Sequence, residues 1–485
     1  MATETVDVAV VGSGYGGSIP ACRLAQAGMK VVVLERGPRR SLATFRQSDE
    51  PKYINGIVDL VVSAGNLAFR TGKMVGGASI PMDGAHFRMP RHSFRAKDEA
   101  GRPYWPAALS RESLDPYYAK AEEMLLVRQF VWDEIPKAGG LFAKMLDLAG
   151  ASCDRARLNY TDCLGCGFCA QGCTFGKKMT LLHNYIPGAE RAGAVFRAEA
   201  EVDHLEPAGS DGYKVVYRQG GQGQELLARR VIVAGGGIHT PALLLRSAKY
   251  LTKLSAHLGR HFSNNGEHAF VGILPPEFDD LSSYLCYKGQ DNGAVMSFHW
   301  FESDGFTLHP GAGLEPSLFA ASFAADKHPV LPRRAWGMEY KRFVEQVFPH
   351  RVIAFSALGL APGFHTISVD AKGAPQLVEG DRSANDAYLD RLERIVLEVG
   401  QKTGVALLPA TPRKFAGTTS AHLLAACRMA ESAADGVLDA DGQVFGHERL
   451  YVCDASAVPC AIGVNPALTI SAIAERTAAR IIAKG

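Results

Sequence analysis

The sequence of 485 residues lacks an excess of charge of either sign, a long apolar run and an N-terminal leader. Its 52 basic and 50 acidic residues give a net charge of +2, so there is no electrostatic basis for binding nucleic acid or a membrane surface. No apolar run approaches the ~20 residues that a membrane-spanning helix needs. No basic, apolar and small-residue leader precedes the first apolar run at Val6, so we expect a cytoplasmic protein.

Without an export signal, disulfides are not expected, and the ten cysteines should be reduced. Four of them fall in one short window: Cys163, Cys166, Cys169 and Cys173. This spacing is that of bacterial ferredoxins, and Gly165, Gly167 and Gly172 would let the loop fold around a cluster. However, Thr174 stands where ferredoxins have Pro, and no second set of cysteines is present. An iron–sulfur cluster, a four-thiolate zinc site and metal-free packing all remain as alternatives.

The first forty residues carry the most informative pattern. An apolar run, Val6–Val11, leads into a glycine-rich loop at 12–17, a helical pattern follows, and a second apolar run at 30–34 ends at Glu35. This is the order of a Rossmann-type βαβ unit that binds a dinucleotide: a strand, a glycine loop, a helix, a second strand and an acid. With 47% hydrophobic and 21% charged residues, the chain has the composition of a globular enzyme.

Each feature of that unit has a physical role. Gly12 permits the tight turn, Gly14 lets the backbone approach a pyrophosphate, and Gly17 lets the helix pack closely on the strand. The phosphates would lie at the helix N-terminus, where free N–H groups and the helix dipole favour negative charge. Glu35 would accept hydrogen bonds from a ribose.

The nucleotide-binding domain is predicted to be discontinuous, because two later segments have the same strand-to-helix character. One runs from Arg230–Val233 through a glycine turn into a helix, and the other runs from 449 to the C-terminal helix. The predicted limits are 1–97, 191–267 and 406–485 for the three parts of this domain, 98–190 for a lid or insert with the cysteine window, and 268–405 for a substrate-binding domain. The fold class is therefore α/β, with the second domain built on a large, mostly antiparallel sheet with helices.

Aromatic residues are dense between Phe298 and Phe348, in the predicted substrate-binding domain. Most of these rings, taken singly, are expected in the core. As a group they suggest an apolar, cyclic or aromatic alcohol, a sterol or a glycoside.

Together these blocks resemble the glucose–methanol–choline (GMC) family of flavin oxidoreductases, and the chain ends are most similar to its cholesterol-oxidase-like and dehydrogenase branches. The matching blocks are Val10–Gly17 with Glu35, Val75–Ser79 with Gly84 and Arg88, Val231–Arg246, and His422–Arg476. The resemblance implies FAD rather than NAD, with the flavin ring between 75–84 and 463–470. Some members attach the flavin through a His in the glycine block; this chain has Ile80-Pro81-Met82-Asp83 there, so non-covalent FAD is expected.

The resemblance also implies individual site residues. Val202 matches a residue whose backbone meets adenine, Asp454 matches one near the ribityl or phosphate region, and the helix after Pro466 faces the flavin pyrimidine. The residues implied to contact FAD are Gly12, Gly14, Tyr15, Gly17, Glu35, Gly76, Gly77, Ser79, Gly84, Val202, Ala234, Gly235, Asp454, Ala455, Asn465 and Pro466.

The catalytic pair follows from the same resemblance: His422 takes the hydroxyl proton, Asn465 orients the substrate oxygen, and hydride passes to flavin N5. Family members usually have Gly-Thr or Gly-Gly where this chain has Ala425-Ala426, which puts the pose of His422 in question. We therefore predict an FAD-dependent oxidoreductase of a small-molecule CH–OH substrate.

The route of the electrons after the flavin has several alternatives. Some dehydrogenases of the family carry an iron–sulfur cluster in a cysteine-rich insert, which favours transfer through Cys163–Cys173 to a protein acceptor. The alternatives are an alcohol or sterol oxidase that uses O2 without a cluster, and a non-redox or light-driven flavoprotein of the same fold.

Overall fold

A computed structural model describes residues 3–48, 50–62, 68–98, 100–311, 333–334, 336–410 and 419–485. The strands are β1 (Glu4–Val11), β2 (Val31–Leu34), β3 (Val58–Val62), β4 (Ala68–Gly72), β5 (Arg128–Gln129), β6 (Asp154–Arg155), β7 (Arg157–Leu158), β8 (Val195–Arg197), β9 (Ala200–Pro207), β10 (Tyr213–Gln219), β11 (Gln222–Val233), β12 (His268–Ile273), β13 (Val295–Met296), β14 (Phe306–Gly311), β15 (Val352–Gly359), β16 (His365–Val369), β17 (Pro375–Glu379), β18 (Ala406–Pro409), β19 (Thr419–Ser420) and β20 (Leu450–Val452). The helices are α1 (Tyr15–Gln26), α2 (Pro51–Ile54), α3 (Arg111–Met124), α4 (Lys137–Leu148), α5 (Tyr185–Arg191), α6 (Gly236–Arg246), α7 (Phe301–Asp304), α8 (Gly337–Arg342), α9 (Phe348–Arg351), α10 (Ser383–Thr403) and α11 (Ala467–Lys484).

A seven-stranded sheet unites distant parts of the chain. Its order is β8-β2-β1-β11-β10-β9, and β20 also pairs with β11. Strand β1 pairs with one edge of β11 and is parallel to it. Along the other edge, the first part of β11 pairs with the antiparallel strand β10, and its last residues pair with the parallel strand β20. The apolar runs at β1, β2 and the end of β11 are buried, as expected for parallel strands covered on both faces. The predicted discontinuous Rossmann-type fold is confirmed.

Helix α11 brings the C-terminal part of the chain onto this sheet. It packs between α1 and α3, where the buried Glu475 carboxylate accepts hydrogen bonds from Arg23 (2.8 Å) and Tyr185 (2.6 Å). The hydroxyl groups of Tyr118 on α3 and Thr469 on α11 lie 3.0 Å apart. None of the described helices combines the length and the apolar character that crossing a membrane requires.

A second sheet, of order β14-β15-β12-β18, is antiparallel throughout its described strands. Helices α4 and α10 contribute side chains to the same apolar core, in which Phe142, Phe270 and Phe355 pack together. This arrangement agrees with the predicted α/β architecture. The domain limits stay predictions, because the sheets by themselves do not fix where one domain ends.

The glycine loop between β1 and α1 is packed too tightly for a side chain at two positions. Gly12 has a φ of +97°, and a Cβ there would lie 2.3 Å from the carbonyl oxygen of Ala234. A Cβ on Gly17 would lie 1.9 Å from the carbonyl oxygen of Gly12. The close approach of helix and strand that the sequence predicted at Gly17 is therefore present.

We expect Gly17→Ala to lower the free energy of unfolding by at least about 2 kcal/mol, because the added methyl overlaps backbone that cannot move without breaking β1 pairing. Urea unfolding followed by far-UV circular dichroism measures the change. Gly140→Ala on α4 is the matched control: a Cβ there meets nothing within 4 Å. That variant should be neutral or stabilising by up to about 1 kcal/mol; equal destabilisation by both variants would contradict the packing argument.

Candidate active site

One cavity of about 1180 Å³ begins at the carboxyl ends of β1, β2 and β11 and reaches the four-stranded sheet. Ligands of open α/β sheets bind at such strand ends. Sites for single drug-sized ligands enclose roughly 300–1,000 Å³. This cavity therefore has room for a dinucleotide and a second small molecule.

At the nucleotide end, Glu35 is both a cavity residue and a brace for the glycine loop. Its carboxylate accepts hydrogen bonds from the Ser13 N–H (3.0 Å), the Ser13 hydroxyl (2.7 Å) and the Gly37 N–H (2.8 Å). Burial raises the pKa of Glu35 above its ordinary value, against the effect of these hydrogen bonds. The acid that the sequence assigned to a ribose thus also fixes the loop that would hold the phosphates.

Asp454 joins the end of β20 to the start of α6. Its carboxylate accepts hydrogen bonds from the Gly236 N–H (2.7 Å), the Thr240 hydroxyl (2.5 Å) and the Ser456 N–H (2.9 Å). Burial raises the pKa of Asp454. Asp454 lines the cavity and fixes the glycine turn at the start of α6, and a Cβ on Gly16 in the first glycine loop would lie only 2.8 Å from it.

A turn from the β16–β17 hairpin closes the far end of the cavity. The Arg246 guanidinium donates to the carbonyls of Val202 (3.2 Å), Asp203 (2.9 Å) and Gly373 (3.1 Å). Gly373 and its neighbours 372–375 line the cavity beside Val202. A single charged side chain on α6 therefore ties this turn to strand β9.

Most residues implied to contact FAD line the cavity: Gly12, Gly14, Tyr15, Glu35, Gly77, Val202, Ala234, Gly235, Asp454, Ala455, Asn465 and Pro466. Four lie behind its wall: Gly17, Gly76, Ser79 and Gly84. Ser79 donates a hydrogen bond to the Gly76 carbonyl (2.7 Å), and the Gly84 N–H donates to the Tyr160 hydroxyl (3.1 Å). In the structure these four shape loops and packing.

The cavity fits an FAD molecule by its backbone groups. Helices α1 and α11 both start at it, and neither N-terminus has a side-chain cap. Their free N–H groups suit a pyrophosphate and an electron-rich flavin ring, respectively. Gly14 adds to the cradle, since a Cβ there would enter open space in the cavity.

The two predicted catalytic side chains are adjacent in the cavity. The Asn465 amide nitrogen lies 3.4 Å from His422 Nε2. On the other side of the ring, His422 Nδ1 lies 3.0 Å from Glu267 Oε2. The order Glu267, His422, Asn465 leaves one imidazole nitrogen beside the amide and directs the other to a carboxylate.

Glu267 has further partners that fix it in place. It accepts a hydrogen bond from the Ser420 hydroxyl (2.6 Å), which in turn accepts one from the His422 N–H (2.7 Å). Burial raises the pKa of Glu267, but the charge of His422 at 3.0 Å and the hydrogen bond from Ser420 act in the opposite direction, and the net pKa is lowered. The carboxylate form is favoured beside the imidazole.

The segment after His422 is held by backbone pairing and by an unusual conformation. Leu424 and Ser263 exchange hydrogen bonds of 2.9 and 3.1 Å. Ala425 has a φ of +72°, in the left-handed region that glycine adopts without steric cost. The backbone at Ala425 therefore adopts a conformation that a glycine would adopt without strain.

The loop 264–267 positions both predicted catalytic residues, and no motif of the sequence pointed to it. Asn265 accepts hydrogen bonds from the N–H groups of Ile462 (2.8 Å) and Gly463 (3.0 Å) and donates to the Val464 carbonyl (2.8 Å). It therefore holds the loop that carries Asn465, while Glu267 holds His422. The only signal in the sequence is a run of polar residues with a glycine directly before an apolar strand.

His309 on β14 is a second missed residue of the cavity. It is only 6% exposed, and burial lowers its pKa. Apart from a poorly aligned contact with the Pro310 carbonyl, neither ring nitrogen has a hydrogen-bond partner among the described residues. In the sequence, nothing local distinguishes His309 from its neighbours in the predicted substrate-binding domain.

The aromatic-rich region does not supply the cavity wall in the part of the chain that is described. Phe306 and Phe348 are fully buried in the second core, while Phe298 and Trp336 are 40% and 65% exposed. None of the described Phe or Trp residues of this region lines the cavity. Residues 312–332 lie outside the described ranges. The described rings of this region therefore do not identify the substrate, and its class stays a prediction.

The cysteine window is not arranged as a metal site. Cys163, Cys166, Cys169 and Cys173 lie in a loop where no three His, Cys, Asp or Glu side chains of the described residues are grouped to hold an ion. Instead, the buried Lys178 ammonium donates to the carbonyls of Ile80 (2.7 Å), Met82 (2.6 Å) and Cys169 (2.8 Å). The residues present do not fit an iron–sulfur cluster or a zinc ion, and a lysine fixes the loop to the cavity wall.

Comparison with known proteins agrees with this geometry. Family models described as GMC oxidoreductase match residues 15–264 and 379–474. The chain is 25% identical to a cholesterol oxidase of Acinetobacter baumannii over 99% of this chain and 94% of the relative. It is 26% identical to a 2-methyl-1,2-propanediol dehydrogenase of Mycolicibacterium austroafricanum over 98% and 94% of the two chains.

The crystal structure of pyridoxine 4-oxidase from Mesorbium loti has the same fold, with a TM-score of 0.68 at 16% identity, covering 98% of this chain and 99% of that one. The family models together span most of the described nucleotide-binding elements. The chain therefore belongs to the GMC oxidoreductase family, as its sequence motifs predicted.

Proposed function

We propose that, within this family of FAD-dependent enzymes acting on CH–OH groups, this chain oxidises an alcohol with His422 as base and Asn465 as the group that orients the hydroxyl. The observation that carries the proposal is the row Glu267, His422, Asn465 on one wall of a dinucleotide-sized cavity. When bound, FAD supplies the acceptor for the carbinol hydrogen, which leaves as hydride.

His422 suits the task of taking the hydroxyl proton. A neutral imidazole can accept a proton through its unprotonated nitrogen, and the Nε2 of His422 is the nitrogen that lies beside Asn465 in the cavity. The proton that arrives makes an imidazolium, whose charge the Glu267 carboxylate at 3.0 Å stabilises. Glu267 is therefore a positioning and charge-compensating residue.

Asn465 binds and orients the substrate and does not accept the proton, because an amide is not a base at neutral pH. Its Oδ1 is buried without a hydrogen-bond partner in the described structure, so it can receive a bond from a hydroxyl. The next residues begin α11, whose free N–H groups favour negative charge at the adjoining part of the cavity.

Non-covalent binding of FAD is part of the proposal. The cavity wall at 81–83 is Pro-Met-Asp, with no imidazole to form a bond to the flavin. His86, the nearest His along the chain, is fully buried and directs Nδ1 to the Gly84 carbonyl (2.9 Å) and Nε2 to the Tyr15 hydroxyl (3.4 Å).

Two alternatives for the acceptor of the flavin's electrons remain. Transfer through an iron–sulfur cluster to a protein rests on the spacing of Cys163–Cys173 alone. Direct transfer to O2, or to another acceptor that reaches the flavin, needs no cluster and agrees with the arrangement of the loop. We favour direct transfer. The cytoplasmic location stays a prediction.

His422→Asn should lower the rate constant of anaerobic flavin reduction by about 10²–10⁴-fold, because it removes the base but keeps a hydrogen-bonding group. FAD content should remain that of the wild type. Stopped-flow absorbance with a panel of alcohols measures both. His257→Asn, on a ring that contacts the Ala434 carbonyl away from the cavity, is the control and should reduce its flavin normally. An unchanged rate in His422→Asn would defeat the assignment.

Glu267→Gln should slow flavin reduction by about 10–100-fold, because a charge-assisted contact with His422 becomes neutral. Glu393→Gln is the control, because it alters another contact between a carboxylate and an imidazole, that of Glu393 with His268 at 3.1 Å. It should change the rate of flavin reduction by less than about threefold.

The lowered pKa of Glu267 also predicts how the free energy of unfolding changes with pH. A depressed carboxyl pKa stabilises the fold above the ordinary value of 4.5, and that contribution is lost as pH falls through the lowered pKa. The difference in unfolding free energy between wild type and Glu267→Gln should therefore shrink in acid. A difference that grows in acid would contradict the ionised carboxylate.

Anaerobically purified protein should contain FAD and less than about 0.1 iron atom per chain, since the cysteine loop lacks the convergence that a cluster requires. Iron analysis and the absorbance spectrum test this. The double variant Cys163→Ser with Cys166→Ser should keep its flavin and its reduction by alcohol. Stoichiometric iron in the wild type that is lost in this double variant would instead support the iron–sulfur cluster and a protein acceptor.

A further inference from the structure

The second sheet presents one row of residues to the catalytic cavity. His309 on β14 pairs with Ser356 on β15, and Ser356 pairs with Ala269 on β12. All three line the cavity, as does Gly311, two residues along the same face of β14. Neighbouring members of such a row are about 4.8 Å apart. The row therefore offers an imidazole and a hydroxyl side by side among small residues.

His309 is the residue of this row that most needs a ligand. Buried imidazoles normally have hydrogen-bond partners. The His309 side chain is only 6% exposed, yet neither of its ring nitrogens has a well-aligned partner among the described residues. Burial lowers its pKa, so the ring is neutral near pH 7. A neutral imidazole has one donor and one acceptor, which matches a hydroxyl group.

The position of His309 places it on the substrate side of the cavity. The charges of Asp83, Glu267 and His422 all act on its ring. His309 therefore lies close to the proposed base but belongs to a different sheet edge and is not part of the Glu267–His422–Asn465 row. A molecule whose carbinol meets His422 would bring its adjoining atoms toward His309.

We infer that the substrate is an alcohol with a second hydrogen-bonding group, such as another hydroxyl, near the reacting carbinol, and that His309 and Ser356 bind this second group. The inference deepens the proposed function and rests on it. His309 and Ser356 are specificity residues here and take no proton in the reaction. A site built to pair with a polar group discriminates strongly against an analogue that lacks it, by far more than an apolar pocket does.

The test compares alcohols in matched pairs that differ by one hydroxyl: propan-1-ol with propane-1,2-diol, cyclohexanol with cyclohexane-1,2-diol, and benzyl alcohol with 2-hydroxybenzyl alcohol. The concentration dependence of anaerobic flavin reduction gives a second-order constant for each with the FAD-loaded wild type, His309→Leu, His309→Gln and Ser356→Ala. FAD content and the thermal midpoint report on folding.

We expect the wild type to prefer the doubly functional partner by at least about tenfold in one or more pairs. His309→Leu should abolish that preference, so that the ratio of the two constants within each pair falls to about one. His309→Gln, which keeps a donor and an acceptor, should retain part of it, and Ser356→Ala should reduce it. If the leucine variant does not fold, the glutamine and alanine variants carry the test.

Three results would overturn the inference. Equal constants within every pair for the wild type contradict a second polar site, while leaving alcohol oxidation by His422 intact. If a variant lowers the second-order constants of both alcohols of a pair by the same factor, His309 only maintains the shape of the cavity. Flavin that no alcohol reduces, in wild type as in His422→Asn, contradicts the proposed function and this inference together.

Discussion

Backbone pairing of β11 with strands from both ends of the chain is the constraint on which the rest of the structure depends. One edge of β11 carries β1, from the first residues described, and the other carries β20, from the last part of the chain. Because these pairings are parallel, their carboxyl ends come to one place. The glycine loop after β1, the start of α6 and the Asp454 carboxylate meet there for that reason, and no local interaction could bring them together.

A short loop then connects this sheet to the chemistry. Residues 264–267 lie between the two sheets, and side chains two positions apart hold different parts of the catalytic pair: Asn265 the turn before Asn465, and Glu267 the ring of His422. The proposed base and the proposed orienting amide come from segments more than forty residues apart. Their relative position is set by a third segment, so the geometry of the pair depends on hydrogen bonds that neither residue makes by itself.

The nucleotide-binding half could be predicted from sequence because its signals are local. Gly12, Gly17 and Glu35 follow each other in one strand–helix–strand unit, and their roles follow from steric and hydrogen-bonding rules. His422 and Asn465 came from family resemblance, since nothing in their neighbours specifies a base. Glu267 and His309 could not be predicted, because their importance arises from contacts across 155 and 113 positions of the chain.

The cysteine window is the opposite case: its spacing is local and suggestive, but no three possible ligands are grouped there among the described residues, and Lys178 fixes the loop. A further consequence concerns the turn at Gly373, which Arg246 ties to β9 across the end of the cavity. The end of the cavity beside Val202 is therefore walled by a turn whose position depends on one guanidinium on α6. A single side chain thus couples the shape of this end of the cavity to the β16–β17 hairpin.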